Sequence, residues 1–198
     1  MPRTMVLLVL TLWTGSIASG QVYSGPKCFG LFCVDHEVPA RSLFKQLGPP
    51  PTKASRLFPY CYQSRDGRLF LYMETFDGEP VRVADIFLSD FPNCMRAPKK
   101  ITEDDLRFWE TKEGIRLGSS EADVLKAYGK PSWEGKVDAQ IYRLRIRGHR
   151  PVDKTPQLKD IGDKRIFYNA GVSSDDPSAA EFGIRDGKVS WISLSINE

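Results

Sequence analysis

Histidine is scarce in this 198-residue chain, an excess of one charge is absent, and no apolar run is long enough to span a bilayer. The two histidines, His36 and His149, fall in different halves, and neither sits in a motif of metal-ligand spacing. No metal site is expected. A Gly-x-Ser-x-Gly elbow, a phosphate loop and a His-Glu-x-x-His pair are all missing, so no catalytic residue and no cofactor is nominated. Basic and acidic residues number 28 and 25, a balance that leaves no electrostatic footprint for nucleic acid. There are four cysteines, Cys28, Cys33, Cys61 and Cys94, all in the first half. Their spacing lacks the two close pairs that zinc favours. Glu103-Asp104-Asp105 reads as the dipole-favoured first turn of a helix rather than as paired catalytic acids. Asp175-Asp176-Pro177 reads as an exposed turn rather than a calcium loop.

What is present begins with an address. Arg3 precedes an apolar run from Met5 to Trp13, and Ala18 and Gly20 stand at the −3 and −1 positions before Gln21. This is the three-part pattern of a cleavable secretory signal. The run falls well short of the ~20 residues of a spanning helix. No cysteine follows it closely enough for a lipid anchor. Residues 1–20 are therefore expected to be a signal peptide, and the mature chain to be secreted or periplasmic, with no stable membrane span. In such a compartment four cysteines read as two disulfides. The apolar content of 41% and charged content of 27% suit a folded globular protein.

A pass along the mature chain finds short elements. Glu37 to Leu47 is helical in pattern, with Pro39 in the first turn and an apolar stripe of Leu43, Phe44 and Leu47. Gly48 and three prolines stop it. Strands follow at Tyr60–Ser64, Arg68–Thr75 and Val81–Leu88, with a type I′ turn expected at Asp66-Gly67. Leu69, Leu71 and Met73 share one face, and Phe70 and Tyr72 the other. Pro92 to Lys100 reads as a linker. A helix at Thr102–Trp109 and a second one capped by Ser120 open the latter half. Gly129 and Pro131 end the second. Further strands are expected at Gln140–Arg147, Lys164–Ala170, Ala180–Ile184 and Val189–Ile196, with Asp186-Gly187 turning the last pair. A three-strand meander places the start of its first strand and the end of its third at opposite ends. Cys61 and Cys94 occupy about those places, so each is expected to pair with Cys28 or Cys33, because bridged Cα atoms lie within ~7 Å.

The halves resemble each other. Ser42-Leu43-Phe44-Lys45-Gln46-Leu47-Gly48-Pro49-Pro50 lies over Asp123-Val124-Leu125-Lys126-Ala127-Tyr128-Gly129-Lys130-Pro131, and each half then carries a sheet whose last strand follows Asp-Gly. The fold class read from this is α+β: two tandem units, each of short helix or helices packed on an antiparallel β-meander. The first unit is expected over residues 21–98 with the disulfides, the second over 99–198. The stretch from Glu113 to Ser132 resembles the opening of the SmpA/OmlA (BamE) family of outer-membrane assembly proteins, and Asp186-Gly187-Lys188-Val189-Ser190-Trp191-Ile192 resembles that family's closing strand. A tandem of two such units is similar to the β-lactamase-inhibitor-protein family. That resemblance implies two helix-plus-sheet repeats forming one concave sheet surface that binds a partner protein.

Candidate binding residues follow from period-two alternation. Arg143, Arg145 and Arg147 project from one face of their strand. Trp191 lies opposite Ile192, Leu194 and Ile196, and tryptophan is a favoured interface anchor. Tyr72 and Phe70 join them as the aromatic face of the first sheet. The expected function is an exported, non-catalytic protein-binding module whose partner is a protein. The rival readings are a cell-envelope structural or outer-membrane assembly factor, and an unrecognised secreted hydrolase.

Overall fold

A computed structural model describes residues 25–30, 32–34, 37–38, 57–76, 81–92, 99–100, 109–137, 161–169 and 178–196. The expected signal peptide, the body of the first expected helix, the helix expected before Trp109 and the strand expected at Gln140–Arg147 lie outside the described residues.

A hairpin of β1 (Cys28–Phe29) and β2 (Phe32–Cys33) opens the chain. The remaining strands are β3 (Glu37–Val38), β4 (Leu57–Gln63), β5 (Phe70–Phe76), β6 (Val81–Ser89), β7 (Lys99–Lys100), β8 (Trp133–Lys136), β9 (Lys164–Asn169), β10 (Ser178–Arg185) and β11 (Lys188–Ile196). They form one sheet in the order β7-β4-β5-β6-β11-β10-β9-β8, with β3 pairing beside β6. All its pairings are antiparallel except the parallel contact of β4 with β7. The central pairing is β6 with β11, where Leu88 faces Ile192 and Ile86 faces Leu194.

This corrects the expected α+β pattern of two units that each pack helices on their own meander. Among the described residues strand makes up 58% and helix 9%. Among the described residues there is one α-helix, α1 (Glu121–Tyr128). The physical reason is the β6–β11 pairing. It fuses the two meanders, so a single apolar face collects Tyr60, Tyr62, Leu71, Met73, Ile86 and Leu88 with Ile166, Phe182, Ile192 and Leu194 in one core. That face is covered by short pieces. Val124 and Tyr128 of α1, Phe29 and Phe32 of the first hairpin, and Trp109 and Ile115 all enter the same core. A backbone bond from Gly30 N–H to Glu110 O (3.1 Å) ties two of these covers together. The helical start expected at Glu37 is strand instead: Val38 precedes Pro39, a position pushed out of the α region by the proline ring.

The helix is only eight residues long, too short to stand alone. Its N-terminus is a capping box. Ser120 Oγ accepts from Asp123 N–H (3.1 Å), and Asp123 Oδ2 accepts from Ser120 N–H (3.0 Å). Gly129 closes the other end, its N–H donating to Leu125 O at 2.8 Å. Tyr128 stacks on Phe182 with centroids 5.7 Å apart and meets Tyr168 edge-on at 5.8 Å. Its hydroxyl donates to Glu113 Oε2 (2.7 Å) and lies 2.6 Å from Thr111 Oγ1. Lys164 Nζ reaches both Glu121 (2.6 Å) and Glu134 (2.9 Å), linking helix to sheet edge.

The two Asp-Gly turns among the described residues, at Asp66-Gly67 and Asp186-Gly187, differ. Asp186 and Gly187 both take positive φ, 53° and 72°, the type I′ geometry that matches the strand twist. At the first turn only Gly67 is positive, at 74°. The type I′ turn expected there is replaced by a wider loop. Gly67 N–H donates to Ser64 O and Ser64 N–H to Leu69 O, each at 3.0 Å. Asp66 is held in place by hydrogen bonds from Ser64 Oγ and Arg68 N–H. These bonds also lower its carboxyl pKa, the Ser64 hydroxyl most.

The disulfide expectation is overturned as well. Cys28 bonds Cys33. Their strands are neighbours, and the two residues face each other in the register. Cys61 is also disulfide-bonded. Cys94, the remaining cysteine of the sequence, lies outside the described residues. The assumption that failed was that a meander ends far from where it starts. By residue 99 the chain has returned to β4, where Lys99 pairs with Tyr62, one residue from Cys61. No helix among the described residues is long and apolar enough to cross a membrane.

Two predictions concern the helix start. Ser120→Ala removes the cap and is expected to cost about 1 kcal/mol. That lowers the Tm by roughly 2–4 °C for a domain of this size, measured by calorimetry. Asp123 has its carboxyl pKa lowered, first by the Ser120 hydroxyl and then by the Ser120 N–H. A lowered folded pKa gives stability that is present above the ordinary aspartate value and lost as pH falls through the lowered one. The stability gap between wild type and Asp123→Asn should be full above about pH 4 and shrink in stronger acid. A gap that is flat with pH would refute this.

Candidate functional site

The sheet has a second face, opposite the core. Two register rows cross it. One reads Phe70, Ser89, Trp191, Gly183, Arg165, Gly135 from β5 to β8, and the next reads Tyr72, Phe87, Ser193, Glu181, Phe167, Trp133. Alternation of side chains along each strand puts all of them on the same side. Three residues singled out from sequence, Phe70, Tyr72 and Trp191, are thus brought to one face. Arg143, Arg145 and Arg147 lie outside the described residues.

Trp191 does not project as an anchor. It is 4% exposed and belongs to a small second cluster with Phe87, Phe91 and Ile161. Its ring stacks on Phe87 at 5.5 Å, and its indole N–H donates to Ile161 O at 2.7 Å. It lies flat across the neighbouring strand because Gly183 has no side chain: a Cβ there would stand 1.8 Å from Trp191 Nε1. A bulge sits beside it, since Gly183 faces Trp191 while Ile184 faces Val189 and Ser190 is left over. Bulges re-aim side chains in this way. Phe70 is buried too. Tyr72 is half-buried and its hydroxyl donates to Glu74. Burial, then Glu74 and Asp85, drive its phenol pKa far above the ordinary value. The centre of this face is therefore filled by the protein's own side chains.

The accessible part lies at the β9–β8 end, in residues that sequence reasoning missed. Trp133 is 44% exposed, the one large hydrophobic residue so exposed among the described residues. Its ring lies 4.7 Å from the Arg165 guanidinium carbon, with Phe167 at 5.8 Å. Arg165 Nε stands 3.9 Å from Glu181 Oε2, and the two side chains are 13% and 4% exposed. That separation exceeds hydrogen-bond range. Arg165 Nε and Nη1 are buried and have no hydrogen-bond partner among the described residues. The signal for Arg165 and Phe167 was available: they alternate with Ile166 and Tyr168 in an expected strand. Strand β8 gave little signal, being four residues with a glycine and two charges.

This arrangement is a cation held on aromatic faces with donors that lack an acceptor. It can grip a polar group but offers no nucleophile. The carboxylates with lowered pKa, Asp66 and Asp123, are explained by a turn and a cap on the protein surface. No group of three or more His, Cys, Asp and Glu among the described residues is placed to hold a metal. A separate open groove of about 1060 Å³ runs between α1 and the Trp109–Ser119 segment. Of the three acids that line it, Glu110, Glu113 and Asp123, Glu113 accepts from Tyr128 and Asp123 accepts from Ser120 N–H in the helix cap.

Gly183→Ala should drive Trp191 from its seat, because the added methyl and the indole claim the same space. The expected cost is roughly 1–3 kcal/mol, typical of overpacking. A red shift of tryptophan emission should accompany it. Unchanged stability and emission would show that Trp191 is not seated on Gly183. Compared with known proteins, the chain finds no matching family model, no matching curated protein and no matching solved structure.

Proposed function

We propose that this chain is an exported, non-catalytic module that binds a partner protein through the β9–β8 end of its second sheet face. The observation that carries the reading is Trp133, exposed at the sheet edge and resting on the Arg165 guanidinium. Tryptophan and arginine are the residue types most enriched where binding energy concentrates. The two sit together at one end of the face: Gly135 lets the indole lie flat, and Phe167 lies against the cation from another side. Export is supported by the signal-like residues 1–20 and by the disulfide. The face is positioned by a core on the other side of the sheet, and its β9–β8 end is the part that reaches solvent.

The test is affinity capture by the mature, oxidised protein from its own envelope and culture fluid. Wild type should retain a specific partner. Trp133→Ala should weaken that binding by about 30-fold or more, as an interface hot spot does, with the Tm unchanged. No partner, or equal retention by the variant, would reject the reading and favour a structural or assembly role.

A further inference from the structure

Arg165 is the one residue of its row set between two glycines, Gly183 on β10 and Gly135 on β8. Each glycine yields its space to a tryptophan. On the β8 side a Cβ at Gly135 would stand 2.4 Å from Trp133 Cζ2. The indole therefore covers ground that any other residue would occupy, and from there it meets the guanidinium. Beneath it, Nε and Nη1 have no hydrogen-bond acceptor among the described residues. A guanidinium carries five N–H donors and cannot be deprotonated, so it cannot relieve this by losing charge. Of the two rings against it, Trp133 is the more exposed, Phe167 being half-buried. It is 44% exposed, on the end strand of the described sheet.

We propose that Arg165 is a recognition residue for a carboxylate of the partner protein, and that Trp133 is a hinged cover which swings off the guanidinium as the carboxylate arrives. This rests on the binding-module reading above and names the chemistry of its site. A carboxylate is planar and matches the donor geometry of a guanidinium. It also carries a single charge. Glu181, 3.9 Å from Nε, already balances part of the cation and would repel a dianionic phosphate. Charge-assisted bonds are stronger than neutral ones, so the acid should outcompete its amide.

The experiment is an NMR titration of the mature, oxidised, nitrogen-labelled protein with propionate, propionamide and inorganic phosphate. The readouts are the Arg165 Nε–H and the Trp133 indole N–H. Propionate should shift both saturably in the millimolar range. Propionamide should bind about tenfold more weakly, the difference between charged and neutral acceptors, and phosphate should also be weaker. Trp133→Ala, at an exposed edge position, should tighten propionate binding by removing the cover, and Arg165→Gln should abolish it. Equal binding of the amide, tighter binding of phosphate, or no saturable shift at either resonance overturns the carboxylate site. Weaker propionate binding in Trp133→Ala overturns the cover. A protein that captures its partner through Trp133 yet ignores propionate keeps the sheet-face reading and loses this one.

Discussion

The pairing of β6 with β11 is the contact on which the rest of the molecule depends. Five residue pairs, from Trp191 with Ser89 to Ser195 with Asp85, join the meander β4-β5-β6 to the meander β9-β10-β11. Without it each meander would expose an edge and would have to bury its apolar face alone, and three strands rarely manage that without a cover. With it, one core spans both halves and one second face runs unbroken from β5 to β8. The rows that place Phe70 in line with Trp191, and Trp191 in line with Arg165, exist only because the register is continuous across this junction.

Local signals in the sequence read well where the physics is local. Ser120 with Asp123 marks a capping box, and the helix begins where that box puts it. Alternation in Phe70–Met73 separates the core residues Leu71 and Met73 from the second face. Asp186-Gly187 turns the last hairpin. What could not be read depends on partners distant in sequence. The pairing of two halves into one sheet leaves no mark in either half. The return of the chain to β4 at Lys99 hides in a stretch of prolines and lysines, and with it went the expected disulfide pattern. Trp191 was legible as a residue of the second face but not as a buried one. Its burial is decided by Gly183 on the next strand and by the carbonyl of Ile161.

The two clusters divide the labour. The core side is apolar and closed by α1, the first hairpin and the Trp109–Ile115 segment. The second face is built differently, from aromatics interleaved with small hydroxyls: Ser89, Ser193 and Ser195 are all buried there. Ser89 meets its need locally, donating to Phe91 O at 2.7 Å. A face of small polar residues and glycines lets aromatic rings lie flat, as Trp191 does over Gly183.

Arg165 breaks that economy. A buried donor without an acceptor costs about 1–3 kcal/mol, and a charged one more. An ion pair as loose as Arg165 with Glu181 recovers little of the desolvation, and apolar residues of similar volume often serve stability as well or better in such a place. The two rings on the guanidinium return part of the loss, on the order of 0.5–2 kcal/mol, because a cation on an aromatic face is attracted to it. That is a partial remedy, and it comes from a tryptophan that itself remains 44% exposed. A sheet selected for stability alone would have no reason to keep either residue. Violations of local economy concentrate at functional sites. Here the cation, its donors without an acceptor among the described residues, and the exposed ring occupy one end of one face, and a partner that supplies the acceptor while covering the ring would resolve all three together.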